Sequence, residues 1–178
     1  MAMAGDFERL VTLLGPLHAR ARTTARRLCR SNADGDDLFQ EAVLRALDHL
    51  AELRDENRFR PWFFAVLLSV HRRRSRRSFW RRLLPLDQIV VEPASPGAAP
   101  DLEGAERMAR ALATLPPDHR EAIVLFELEG MTLEEIAELQ QASIPAVKSR
   151  LVRARARLRR HYQRTERALE PLLTEKTS

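Results

Sequence analysis

Apolar residues recur at helical spacing along nearly the whole chain, and the pattern lapses across residues 85–104. Strict apolar-polar alternation, the signature of a half-buried strand, is nearly absent. Helices patterned in this way bury their apolar stripes against one another. The expected fold class is therefore all-α: two small helical domains joined by a flexible linker. The lapse itself, PLDQIVVEPASPGAAPDLEG, holds four prolines and two glycines. It divides the chain of 178 residues into domains at 1–84 and 105–165, followed by a tail at 166–178.

In the first domain, Phe7, Leu10, Val11, Leu14, Leu17 and Leu28 mark a first helical region, bent near Gly15 and Pro16. The stretch SNADGDD reads as a turn. Asp34 or Asp36 would then cap a second helix over about 36–53, with Leu38, Ala42, Leu47 and Leu50 inward. Pro61 opens a third helix reaching Arg77 or Arg82. In the second domain, helices are expected near 102–114, 117–129 and 132–140, then from 144 to 160. Thr132 and Glu135 have capping-box spacing, and Gly130 stands where a residue following a helix C-terminus belongs. Ser143 caps the last helix, whose first turn tolerates Pro145. The last two helices, joined by a tight turn, have the dimensions of a helix-turn-helix.

The last helix, SIPAVKSRLVRARARLRR, combines a narrow apolar stripe with a dense array of cations. Ile144, Val147, Leu151, Ala154 and Leu158 fall on one line. Lys148, Arg155 and Arg159 stand on one flank of it, and Arg150 and Arg157 on the other. The opposite face carries Ala146, Ser149, Val152, Arg153 and Ala156. A slim outward ridge between rows of cations suits a DNA groove, where small side chains meet bases and cations meet phosphates.

Charge is unevenly spread. Residues 1–84 carry seventeen arginines against ten acids, the linker four acids and no base, and residues 105–178 thirteen bases against eleven acids. Lysine occurs only at 148 and 176. The run HRRRSRRSFWRR at 71–82 holds seven arginines, far more than a helix C-terminus needs, and reads as a polyanion surface. Phe79 and Trp80 lie within it, and Phe59, Trp62, Phe63 and Phe64 precede it as core candidates.

Other chemistries find little support. The single cysteine, Cys29, excludes an internal disulfide and a multi-cysteine zinc site; it reads as a buried small residue and suits a reducing cytoplasm. The N-terminus lacks a secretory pattern, and the apolar run at 61–70 is too short to span a bilayer. Counted from Asn32, an EF-hand loop would need glycine where Asp37 stands and an acid where Val43 stands. No phosphate-binding loop, Ser-His-Asp pattern or ligand-spaced His/Cys set occurs, so no catalytic residue, metal or other cofactor is expected.

Three segments together carry a family resemblance. LPPDHREAIVLFELEGMTLEEIAELQQASIPAVKSRLVRARARLRR closely resembles region 4 of the extracytoplasmic-function (ECF) sigma factors of the sigma-70 family. DGDDLFQEAVLRAL resembles their region 2.2, and RFRPWFFAVLLSVHRRRSRR their regions 2.3 and 2.4. The resemblance covers roughly residues 5–165. It implies a non-enzymatic subunit that binds core RNA polymerase, through the β′ clamp helices and the β flap, and directs it to promoter DNA. Such factors work in the cytoplasm, often under an anti-sigma factor that is membrane-bound in many cases.

By the resemblance, Asp37, Gln40, Glu41 and Arg45 form an exposed ridge for the polymerase clamp. Trp62, Ser69, Arg72, Arg73, Arg76 and Arg77 meet the −10 element. Lys148, Ser149, Arg150, Val152, Arg153, Arg155 and Arg157 meet the −35 element, and no small-molecule substrate is implied. The chain departs from the family pattern at Ser69, Arg73, Gln141 and Ala146, where Asn, an acid, Gly and Thr are usual.

Two rival readings stand beside this one. A conventional helix-turn-helix regulator would use residues 1–84 for sensing or oligomerisation, but it gives no reason for the arginines there. A metal-dependent nuclease or recombinase would use Asp34, Asp36, Asp37 and Glu41. Those acids are bunched in one segment, whereas two-metal sites draw ligands from several elements.

Overall fold

The structure, a computed structural model, describes the backbone of residues 2–83 and 102–174 and the side chains of 5–76, 104 and 106–165. Most of the linker lies outside the described residues, as do the side chains of Arg77, Phe79 and Trp80 and those of the tail. The chain divides into two units, Met1–Gly97 and Ala98–Ser178. All regular structure among the described residues is helical.

The N-terminal unit contains four helices: α1 (Ala2–Leu14), α2 (His18–Leu28), α3 (Asn32–Asp48) and α4 (Phe59–Leu83). A 3-10 turn at Gly15–Leu17 separates α1 from α2, as Pro16 leads one to expect. Leu10, Leu14, Leu17, Ala21, Ala25, Leu28, Leu38, Ala42, Leu50, Phe63, Phe64 and Leu67 form the buried core. Phe39 meets Phe63 edge-on at 6.2 Å, and Phe63 meets Phe64 at 6.5 Å. Cys29, expected in the core, instead ends α2 and is half-buried.

The start of α3 differs from its expected place. SNADGDD is not a turn: Ser31 is the N-cap, and its Oγ accepts the Asp34 N–H at 3.1 Å. Asp34 thus lies in the first turn and Asp36 beyond it. The reason lies across the helix pair. A Cβ on Gly35 would stand 2.4 Å from the Cα of Arg26, so α2 and α3 approach more closely than any side chain at 35 permits. Asp36 holds that approach from outside, with Arg22 and Arg26 both at 2.8 Å from its carboxylate. Hydrogen bonds from Arg26 and then Arg22 hold the Asp36 carboxyl far below the usual carboxylate range. The cradle therefore keeps its charge at any ordinary pH.

The C-terminal unit contains α5 (Leu102–Ala113), α6 (Pro117–Glu127), α7 (Leu133–Gln140) and α8 (Ile144–Thr174). Residues Arg120 to Leu125 of α6 are buried in succession, making it the central helix. The Arg120 guanidinium donates to the carbonyls of Leu112, Ala113 and Leu115, at 2.8, 3.1 and 3.3 Å, where α5 ends. The capping box of Thr132 and Glu135 is present in both directions, and Ser143 Oγ accepts the Ala146 N–H at 3.3 Å. Helix α8 continues to Thr174, well past residue 160 and with no break at 165. Gly130 follows α6 with φ 61°.

Gln141 closes α7 in the left-handed region, with φ 48° and ψ 47°. That conformation costs an L-residue roughly 1 kcal/mol and costs glycine little. Gln141→Gly is expected to raise stability by about 0.5–1 kcal/mol, read from a thermal midpoint. Gly35→Ala should act the other way. Alanine favours a helix by about 0.5–1 kcal/mol over glycine. Yet the clash is with backbone that no rotamer can clear, so a net loss of about 1–3 kcal/mol is expected in chemical denaturation.

Candidate nucleic-acid interface

Helical spacing sorts the side chains of α4 into two faces. Phe63, Phe64, Leu67, Val70 and His71 are buried, and Arg74 continues that inward line. Trp62, Ala65, Ser69, Arg72 and Arg76 follow one another along the other face. Ala65, Ser69 and Arg76 are exposed there, and Trp62 and Arg72 half-buried. The Trp62 ring leans on Phe59 at 5.9 Å. Ser69 Oγ donates to the Val66 carbonyl at 2.8 Å, which leaves its lone pairs to accept. Four of the residues expected at the −10 element thus share one surface. Phe59, Phe63 and Phe64 are core.

Arg73 points elsewhere. Together with Arg74 it grips Glu41 of α3: Arg74 Nε lies 2.7 Å from one carboxylate oxygen, and Arg73 bonds the other. Arg74 also donates to the carbonyls of Asp34 and Asp37, at 3.4 and 3.3 Å. Burial pushes the Glu41 carboxyl up, but the hydrogen bonds from Arg74 and Arg73 outweigh it and the net shift is downward. The clamp is therefore charged at neutral pH. Glu41 does not stand free on the ridge expected at 37–45. Asp37 and Gln40 are exposed there and Arg45 half-buried. Reversing charge at 41 would set a third cation beside two guanidinium groups. Glu41→Lys is expected to cost about 1–3 kcal/mol and Asp37→Lys under about 0.5 kcal/mol, compared in thermal denaturation.

In α8 the apolar stripe is as expected: Val147, Leu151 and Ala154 are buried, with Ile144 and Leu158 half-buried at its ends. Val152 is 65% exposed, so it contributes nothing to the core. Lys148 and Arg153 are exposed beside it, and Ser149 is half-buried.

The flanking arginines divide. Arg150 donates to Gln140 Oε1 at 2.7 Å and lies 3.3 Å from Asp118 Oδ2. Arg155 lies 2.7 Å from Glu127 and over the Phe126 ring at 5.4 Å. Arg153 and Arg157 have no carboxylate at ion-pair distance among the described residues. Burial first, and then the Arg153 cation, push the His119 imidazole below its ordinary value, with Arg150 and Arg157 adding to this against Asp118. His119 thus stands neutral beside a strongly positive flank.

Some structural residues were not singled out in the sequence. Arg74 had a signal, because it falls on the stripe that Leu67 and Val70 define. Arg120 and His119 had none. Two of the four carboxylates that a nuclease would use are engaged: Asp36 and Glu41 are each held by two arginines. Among the described residues no His/Cys/Asp/Glu group is arranged to hold a metal ion, and no helix is long and apolar enough to cross a membrane.

A helix-turn-helix whose second helix is cationic, and a separate helical unit with its own basic face, define a class of nucleic-acid-binding protein. Comparison with known proteins narrows it. Residues 13–81 match sigma-70 region 2, and residues 105–158 match sigma-70, region 4. The chain is 30% identical over 158 residues to the ECF RNA polymerase sigma factor SigM of Mycobacterium tuberculosis, covering 89% of this chain and 79% of that one. It is 35% identical over 132 residues to EcfG of Rhodopseudomonas palustris, covering 71% of each.

Two solved structures are similar. One is the sigma factor RpoE in complex with the anti-sigma factor NepR from Bartonella quintana, with TM-score 0.62 and 26% identity over 89% of this chain and 97% of that one. The other is CnrH in complex with the cytosolic domain of CnrY, with TM-score 0.64 and 27% identity over 91% and 92%. The chain belongs to the extracytoplasmic-function sigma factors of the sigma-70 family. Sigma factors are transcription initiation factors.

Proposed function

We propose that this sigma factor docks on core RNA polymerase through α3, holds the opened −10 strand on α4 and reads the −35 element with α8. The division of arginines on α8 supports the reading most. Arg150 and Arg155 are occupied in holding the domain together, while the exposed Arg153 and Val152 and the half-buried Ser149 form the outward ridge, with Lys148 on one flank and Arg157 on the other. A helix that only packed would not need that ridge.

In this reading Asp37, Gln40 and Arg45 meet the polymerase clamp, and Glu41 acts through α4. Trp62, Ser69, Arg72 and Arg76 contact the unpaired −10 strand, with Arg77 one turn on from Arg73. Arg73 serves by locking α4 to α3. Opening the promoter needs no catalytic residue or cofactor in this chain, because binding the unpaired strand more tightly than the duplex shifts the equilibrium. The chain works in the cytoplasm. An anti-sigma factor controls it, a reading supported by the similar sigma factor RpoE, whose structure is a complex with the anti-sigma factor NepR. The test is run-off transcription with core polymerase over a genomic promoter library. Transcripts from promoters sharing two spaced elements are expected; the absence of defined starts would refute the reading.

Arg153 and Arg157 should differ in kind. Arg153→Ala is expected to cost on the order of 1–3 kcal/mol at one base pair and to relax preference there. Arg157→Ala should weaken all −35 sequences alike and lower the salt slope by about one unit. Holoenzyme binding to single-base −35 variants at two salt concentrations separates the two. The reverse pattern would mean that α8 is rotated away from the assumed groove face.

A further inference from the structure

Beside α8 the C-terminal unit holds a cleft of about 360 Å³, lined by Thr114, Arg157, Arg160, His161 and Arg164. Four of the five come from one flank of α8, at spacings that stack them along two turns of helix. Thr114 lies in the connection between α5 and α6, and its hydroxyl donates to the Ala111 carbonyl at 2.7 Å. It therefore forms a wall, and the donors that line the cleft are three guanidinium groups and the His161 imidazole.

Arg157, Arg160 and Arg164 are exposed, and among the described residues no carboxylate lies at ion-pair distance from them. Like charges at this spacing oppose the helix by a few tenths of a kcal/mol per pair. Arg150 and Arg155 are relieved of that repulsion by Asp118 and Glu127, whereas these three are not. Guanidinium forks that line one concave space match the oxygens of a phosphate.

We propose that this cleft is a phosphate-binding site, separate from the base-reading ridge. Its ligand is either a backbone phosphate of duplex DNA beside the −35 element or a free polyphosphate. The DNA form rests on the reading of α8 as the groove helix; the polyphosphate form does not.

The test uses the full chain carrying Arg160→Ala and Arg164→Ala together. Both side chains are exposed, so an unchanged thermal midpoint is the expected control. In one arm, tripolyphosphate is titrated into the chain and followed by calorimetry. In the other, holoenzyme binding to −35 DNA is measured across salt concentrations. A loss of tripolyphosphate affinity of about tenfold or more identifies a free-anion site. A salt slope lowered by about one to two units, with base preference unchanged, identifies a backbone phosphate. If both change, the two ligands share the cleft. If neither changes, the cationic flank is only solvated and the proposal fails. Should Arg153→Ala leave base preference intact while the double variant still loses tripolyphosphate, the groove reading alone has failed.

Discussion

The carboxylate of Glu41, held between Arg73 and Arg74, fixes how α4 lies on α3. Because α4 is a single unbroken helix of 25 residues, orienting one turn of it orients the whole basic face. The face carrying Trp62, Ser69, Arg72 and Arg76 points outward because Arg74 is drawn inward. Upstream, the close approach at Gly35 and the Asp36 cradle set α3 against α2. Two acids of α3 and four arginines of its neighbours thus frame the N-terminal unit. An arginine-rich chain of this kind must settle which cations stay inside and which face a partner, and the acids of α3 make that choice here.

The C-terminal unit reaches the same end with polar contacts from one central helix. Arg120 of α6 satisfies the carbonyls where α5 ends, and Asp118, Gln140 and Arg150 tie α6, α7 and α8 together. The Gln140 side-chain amide donates to the Asp118 carbonyl at 2.9 Å while its oxygen accepts from Arg150. The angle between the two helices of the helix-turn-helix is therefore held by side chains as well as by the turn. Precise presentation of α8 follows from that, and side chains that are to meet a partner must be held with such precision.

Much of this was legible in the sequence. The helical period gave the fold class, and the stripe of α8 is buried at Val147, Leu151 and Ala154 as its spacing required. Thr132, Glu135 and Ser143 cap where their chemistry said they would. The start of α3 was not legible. Glycine among aspartates looks like a turn until a second helix is known to press against it. The allocation of arginines was equally hidden, since Arg73 and Arg74 find Glu41 more than thirty residues away. Spacing told which face Arg74 occupies, but not which carboxylate waits there.

Helix α8 runs unbroken from Ile144 to Thr174, a rod of about 46 Å at 1.5 Å per residue. The exposed ridge proposed to face the groove occupies only the first few turns; farther along, Tyr162 still meets Met108 of α5, its hydroxyl 3.8 Å from the sulfur. An intact ladder of backbone hydrogen bonds makes such a rod stiff, so its two ends cannot be steered independently. Leverage follows. A modest sideways push on the distal turns would tilt the proximal ones about the fulcrum formed by Val147, Leu151 and Ala154. The long helix is in that sense a handle: a load on its far turns is felt at its first ones.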